Sequence, residues 1–166
     1  MASVTLKGNP FEVTGNIPKA GEKVPTFSLT DRDLQQVGPS TYSGKKIVFN
    51  IFPSIDTPVC ATSVKRFNEE ASSMGNTVVL CISRDTPFAL KRFCGAEELE
   101  HVIPLSVLRD TEFAERFGVR IANGPLEGFC ARAIVVADEN GKVIYSELVP
   151  EIGQEPNYEA AISSLK

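Results

Sequence analysis

The chain of 166 residues reads as an α/β fold, a mixed central sheet with helices on both faces. Three observations predict this. Strand-sized apolar runs alternate with helical stretches, an order that implies parallel pairing through helical crossovers. One run, Lys46 to Phe52 (KIVFNIF), is almost continuously apolar, as a strand covered on both faces must be. Towards the C-terminus two apolar runs bracket Asp138-Glu139-Asn140-Gly141-Lys142, whose Asn-Gly is a strong hairpin signal, so antiparallel strands join the parallel ones.

Taken in order, Val4 to Leu6 and Phe11 to Val13 flank Lys7-Gly8-Asn9-Pro10 and predict an N-terminal β-hairpin. Phe27 to Thr30 is a short strand, and Lys46 to Phe52 is the buried central one. A helix follows from about Pro58 to Met74, then a strand Thr77 to Ser83, a helix Pro87 to Cys94, a strand Val102 to Leu108 and a helix Glu112 to Phe117. Ala131 to Ala137 and Val143 to Leu148 form the late hairpin, and Tyr158 to Leu165 a last helix. A parallel unit closed by a hairpin and a helix is the arrangement of a thioredoxin-like fold, expected here as one domain over residues 1–166.

Composition removes several function classes. The net charge is −4 and the longest basic block is Lys45-Lys46, so neither nucleic acid nor an anionic membrane is an expected partner. The first residues, Met1 to Gly8, lack a basic segment followed by an apolar stretch of about 7–15 residues, and no apolar run approaches the roughly 20 residues of a membrane helix. A soluble, cytoplasmic protein is expected. The four cysteines stand at 60, 81, 94 and 130 without a close pair, and His101 is the only histidine, so neither a metal site nor a cofactor is expected. In a reducing compartment such cysteines point to a transient, catalytic disulfide rather than a structural framework.

One cysteine occupies a position with chemical consequences. In Pro53-Ser54-Ile55-Asp56-Thr57-Pro58-Val59-Cys60, Thr57 suits an N-cap and Pro58 the first helical position, which places Cys60 in the first turn. Unpaired backbone N–H groups and the positive end of the helix dipole favour the thiolate, the form that attacks electrophiles. The site also follows the carboxyl end of the central strand, where open α/β sheets place their chemistry. Cys60, Val64, Phe67, Ala71 and Met74 nevertheless recur at 4, 3, 4, 3 spacing, so the same cysteine also fits an inert core stripe.

The segment from Asn50 to Ser63 (NIFPSIDTPVCATS) resembles the active-site motif of bacterial thiol peroxidases, the atypical 2-Cys branch of the peroxiredoxins. The resemblance continues through Leu80-Cys81-Ile82-Ser83, Arg92-Phe93-Cys94-Gly95-Ala96-Glu97, Gly124-Pro125-Leu126, Arg132-Ala133 and Glu155 to Ala161. It implies that Cys60 is the peroxidatic cysteine, Thr57 and Pro53 its pocket partners, Arg132 the pocket arginine and Cys94 the resolving cysteine. It further implies an intrachain Cys60–Cys94 disulfide, hydroperoxide substrates, thioredoxin as reductant and a homodimer. Ile55 stands where many members carry Leu, a volume-conserving exchange, and Cys130 is unusual for the family.

The chemistry explains the residue types. Full ionisation of a thiol at neutral pH multiplies the reactive fraction by only about 30-fold. The rest must come from donors aimed at the peroxide oxygens, each worth about 10² to 10³ in rate. The Thr57 hydroxyl, the Arg132 guanidinium and the Cys60 N–H are the candidates, with Pro53 shaping the pocket and limiting water. Oxidised Cys60 would be a sulfenic acid, which condenses with a nearby thiol. By position alone, Arg132 fits equally well as a strand-start ion-pair partner, and Cys94 as a buried residue near a helix end. Cys81 reads as an inert core thiol, and Cys130 could share a strand face with Arg132.

Three rival readings compete with this one. A cysteine hydrolase would use Cys60 with His101 as base. A disulfide oxidoreductase normally needs Cys-x-x-Cys, whereas position 57 is Thr. A binding or holdase module of the same fold would leave Cys60 as core.

Overall fold

The structure, a computed structural model, describes residues 2–166. The N-terminal hairpin pairs β1 (Ala2–Leu6) with β2 (Asn9–Thr14) around Lys7-Gly8, both at positive φ as a tight two-residue turn requires. The chain continues through β3 (Leu29–Thr30), β4 (Gln36–Val37), a 3-10 turn at Pro39–Tyr42 and β5 (Lys46–Ile51). Next come α1 (Pro58–Ala71), β6 (Thr77–Ser83), α2 (Pro87–Ala96), β7 (Ile103–Ser106) and α3 (Phe113–Arg116). The short strand β8 (Arg120–Ile121), the hairpin of β9 (Ala133–Ala137) and β10 (Val143–Leu148), and α4 (Tyr158–Ser163) complete it.

The main sheet has the order β10-β9-β5-β6-β7-β3-β4. Strands β5, β6 and β7 are parallel, while β9 runs antiparallel to β5 and β10. This is the mixed sheet that the alternating pattern and the late Asn-Gly turn predict. Side chains alternate cleanly across it. Ile47, Phe49 and Ile51 join Leu80, Ile82, Val135, Phe113 and Phe117 in one apolar layer, whereas Val48, Phe52, Val79, Cys81, Ile134 and Val136 pack with α1, α2 and α4 in the other. Cys60 and Cys94 belong to the second layer and Cys130 to the first.

The structure corrects several boundaries. Helix α1 ends at Ala71, short of Met74, because its last turn tightens into bonds from Ser73 N–H to the Glu70 carbonyl and from Met74 N–H to the Ala71 carbonyl. Helix α2 runs past Cys94 to Ala96, so Gly95 lies within it rather than ending it. The strand expected at Val102 to Leu108 is only four residues long, and β8 had no sequence signal at that length. That short strand pairs with β2 and turns the hairpin into a separate three-stranded sheet. Gly118 makes this possible: its φ is +68°, and a Cβ there would stand 2.1 Å from the Ile17 nitrogen, so the chain leaving the hairpin can cross the end of α3 only against a glycine.

Candidate active site

Cys60 sits where the sequence puts it. Thr57 has the extended conformation of an N-cap, Pro58 opens α1, and the Thr57 carbonyl accepts the first helical bond from Ala61 N–H. Thr57 does not cap with its side chain, however. Its hydroxyl donates to the Ser54 carbonyl at 3.0 Å, so to donate to a substrate it must rotate away from that acceptor. The N–H groups of Val59 and Cys60 have no acceptor within the helix and stay available for an anion.

The loop between β5 and α1 is fixed from the next strand. Asp85, just past β6, accepts from Ser54 Oγ at 2.7 Å, from Ile55 N–H at 2.7 Å and from Ser83 Oγ at 2.5 Å. Pro53 is buried at the start of this loop, close to the end of β5. Behind Cys60, Ser63 Oγ donates to the Cys60 carbonyl at 2.8 Å, and Asn50 Nδ2 donates to Ser63 Oγ at 3.3 Å. None of Asp85, Asn50 and Ser63 was singled out from sequence. Only Asn50 carried a signal, a polar residue inside a continuous apolar strand.

Arg132 leads into β9 and crosses beneath the start of α1. It is 1 % exposed; its Nε donates to the Ile152 carbonyl at 3.0 Å and its Nη2 to Cys60 Sγ at 3.3 Å. Nη1 is buried without a partner. A buried guanidinium with neither a carboxylate nor a full set of acceptors is expensive, and Nη1 leaves its N–H donors unpaired in the interior. This excludes the ion-pair reading of Arg132.

Cys60 is fully buried, as is Cys94, which lies on the inner face of α2 at 3 % exposure. Both are free thiols. Burial pushes the Cys94 thiol above its ordinary value, with Arg32 opposing. Cys81 is raised far more by complete burial despite a 3.8 Å contact from Asn50 Nδ2, and Cys130 is raised to about 12 by the same cause. Cys130 packs on the opposite face of the sheet from Cys60, so it does not share Arg132's side of the strand. Exposed ion pairs link the α1 and α2 regions, Asp56 before α1 with Arg92 at 3.4 Å and Lys65 with Glu97 at the end of α2 at 3.4 Å.

His101 is exposed and lies two residues before β7, at the amino edge of the parallel strands, with its N–H bonded to Asn68 near the far end of α1. Cys60 follows the carboxyl edge. That separation removes the hydrolase reading. A cleft of about 670 Å³ also opens at the amino edge, between Tyr42, Lys45 and the β9–β10 turn, and none of the expected site residues lines it.

Comparison with known proteins identifies the family. Residues 19–162 match the family model described as Redoxin. The chain is 54% identical over 165 residues to a thiol peroxidase of Mycobacterium tuberculosis, with 99% of each chain covered. It superimposes with a TM-score of 0.91 on a peroxiredoxin-like protein from Aquifex aeolicus, 39% identical, covering 99% of this chain and 96% of that one. A thiol peroxidase from Chromobacterium violaceum gives a TM-score of 0.90 at 26% identity, covering 98% of this chain and 94% of that one.

Proposed function

The chain belongs to the thiol peroxidases of the Redoxin family, enzymes that reduce peroxides by oxidising a cysteine, and from that premise we propose that Cys60 is the attacking residue and Cys94 the resolving one. The observation that carries the reading is Arg132, buried with Nη2 on Cys60 Sγ and Nη1 unspent. In the first step the Cys60 thiolate attacks one oxygen of a hydroperoxide. An S–O bond forms, the O–O bond breaks, and the departing alkoxide or hydroxide takes a proton to leave as alcohol or water. Arg132 and the free N–H of Cys60 bind the oxygens while negative charge moves across them. Thr57 joins once its hydroxyl leaves Ser54, and Pro53 keeps bulk water from the pocket.

Cys60 is then a sulfenic acid. The Cys94 thiol attacks its sulfur, an S–S bond replaces the S–O bond, and water leaves. Disulfide geometry requires Cα atoms within about 7 Å, which two thiols on separate helices reach only when a segment unwinds. Unwinding also restores Cys94 to solvent and so to its ordinary acidity, which readies it for attack. A dithiol of thioredoxin then reduces the disulfide by exchange, returning both thiols.

Hydrogen peroxide and organic hydroperoxides are the substrates of this reading, and the enzyme is a cytoplasmic homodimer of one-domain chains spanning residues 1–166. Phe88 on α2 is 69% exposed and Leu108 51%, apolar surface of the kind a partner copy covers.

The test is peptide mapping after one equivalent of peroxide, alongside turnover of Cys60→Ser. The expected result is a cross-linked Cys60–Cys94 peptide pair within one monomer and no peroxidase activity in the variant. Retained turnover in Cys60→Ser overturns the reading, and a covalent dimer in place of the internal bond overturns the resolving step.

A further inference from the structure

We propose that the N-terminal hairpin belongs to the peroxidase machinery, with Thr5 and Glu151 as positioning residues that hold Arg132 on the Cys60 sulfur. The inference rests on the reading of Arg132 as the donor to that sulfur and adds what keeps it there.

A buried arginine has long rotatable bonds and no carboxylate here to lock its direction. Two hydrogen bonds define where its head sits: Nη2 to Cys60 Sγ, and Nε to the Ile152 carbonyl at 3.0 Å. The second is therefore the external anchor, and Ile152 belongs to an irregular segment after β10 with little regular structure of its own. That segment is fastened on two sides. Val149 N–H donates to the Arg132 carbonyl at 2.9 Å, which ties it to the arginine's own backbone. The other side is the N-terminal hairpin, through Thr5 of β1 and Lys7 of its turn.

Thr5 supplies a dense clamp. Its N–H donates to the Pro150 carbonyl at 2.8 Å and its carbonyl accepts from Ile152 N–H at 2.7 Å, bracketing residue 151. Its hydroxyl donates to Glu151 Oε2 at 2.5 Å, and the other carboxylate oxygen accepts from Lys7 N–H at 2.9 Å. These donors keep the Glu151 carboxyl below its usual range, so it is ionised throughout the neutral region. The route is continuous: hairpin backbone and hydroxyl, Glu151, the Ile152 peptide, the guanidinium and the sulfur. A shift of the Ile152 carbonyl carries with it the acceptor that holds Arg132 Nε, and with it the guanidinium that meets Cys60 Sγ, and preorganised donors lose their value when they are displaced.

A clamp that merely fastens the hairpin to the body would look similar in the structure, and a double-mutant cycle separates the two. The measurement is the single-turnover rate of Cys60 oxidation by hydrogen peroxide in the wild type, Thr5→Val, Glu151→Ala, Arg132→Gln, and the pairs with Arg132→Gln. Thr5→Val is expected to slow the step by about 5-fold and Glu151→Ala by about 10-fold, in line with one or two lost hydrogen bonds. Neither should slow it further once Arg132 is Gln, and Thr5→Ser, which keeps the hydroxyl, should react at close to the wild-type rate. If Thr5→Val does not fold, Glu151→Gln supplies the same comparison with side-chain size preserved. Equal slowing in both backgrounds, or no slowing in the single variants, overturns the inference while leaving Arg132 as the donor. A wild-type rate in Arg132→Gln alone overturns the reading of Arg132 itself, a different pattern.

Discussion

At the scale of single residues, Arg132 and Thr57 stand in contrasting states of readiness. Arg132 has a spare buried N–H group beside the sulfur, whereas the one proton of the Thr57 hydroxyl is committed to the Ser54 carbonyl. Arg132→Gln should slow peroxide attack by about 10² or more, the loss expected when a preorganised donor to developing charge is removed. Thr57→Val should cost less, about 10-fold to 10²-fold, because the hydroxyl must first give up an existing bond. Stopped-turnover measurements on both variants check the order, and a larger loss in Thr57→Val would mean that the hydroxyl is already turned towards the substrate in the working enzyme. Asn50 is legible in the sequence as a polar intruder in KIVFNIF, yet its partner Ser63 becomes visible only when α1 lies across the sheet.

At the scale of elements, the proposed disulfide requires α2 to open, and the helix is lightly held. It buries Pro87, Leu90 and Cys94, with Phe93 half-buried against the same core, and it is linked to the α1 region by two exposed ion pairs, each worth about 0–1 kcal/mol. Gly95 inside the helix weakens it by up to about 1 kcal/mol relative to alanine. Hydrogen exchange across residues 87–98 should therefore accelerate on oxidation, and unchanged protection there would contradict an unwound α2 in the disulfide form. A Cβ at Gly95 would meet nothing within 4 Å, so Gly95→Ala should stabilise the helix by about 0.5–1 kcal/mol. The disulfide should then form about 3-fold more slowly, on the same energetic grounds, while the peroxide step keeps its rate. Stopped-flow separation of the two phases tests this, and equal slowing of both would show that Gly95 serves the pocket instead of the opening.

At the scale of the whole molecule, three buried thiols set an alkaline limit. Burial raises Cys81, Cys94 and Cys130, the last to about 12, whereas in the unfolded chain each ionises near pH 8.5. Below about pH 8.5 both states hold these protons and their contribution to stability is fully present. As pH rises from about 8.5 towards the folded values, the unfolded chain binds fewer protons than the folded one, and that stability is progressively lost. Chemical denaturation of the reduced protein should give a lower unfolding free energy at pH 10 than at pH 7.5. Replacing Cys130 by Ala should reduce the decline, and an unchanged slope in that variant would remove Cys130 as a contributor. The association of hairpin and body depends on Gly118 in the same global sense. Gly118→Ala forces a Cβ to 2.1 Å from backbone at a positive φ, so it should destabilise the protein by about 2 kcal/mol or more in the same experiment.

By itself the sequence determined the mixed α/β architecture, the central strand read as Lys46 to Phe52 and found one residue shorter, the strand Thr77 to Ser83, and the helix start at Thr57-Pro58 that carries Cys60. These follow from period, capping and turn chemistry, which act between near neighbours and are written in local residue order. Only the tertiary structure decided that Arg132 faces the sulfur instead of a surface carboxylate, that Cys130 lies across the sheet from Cys60, and that His101 sits at the wrong edge for catalysis. It alone revealed Asp85 under the active-site loop, β8 completing the hairpin sheet, and the Thr5–Glu151 clamp 146 residues apart in the chain. The physical reason is common to all of these: they rest on contacts between backbone carbonyls, side-chain heads and strand ends that meet only when the sheet order is fixed, and backbone carbonyls such as that of Ile152 carry no signature of their use in any residue's identity.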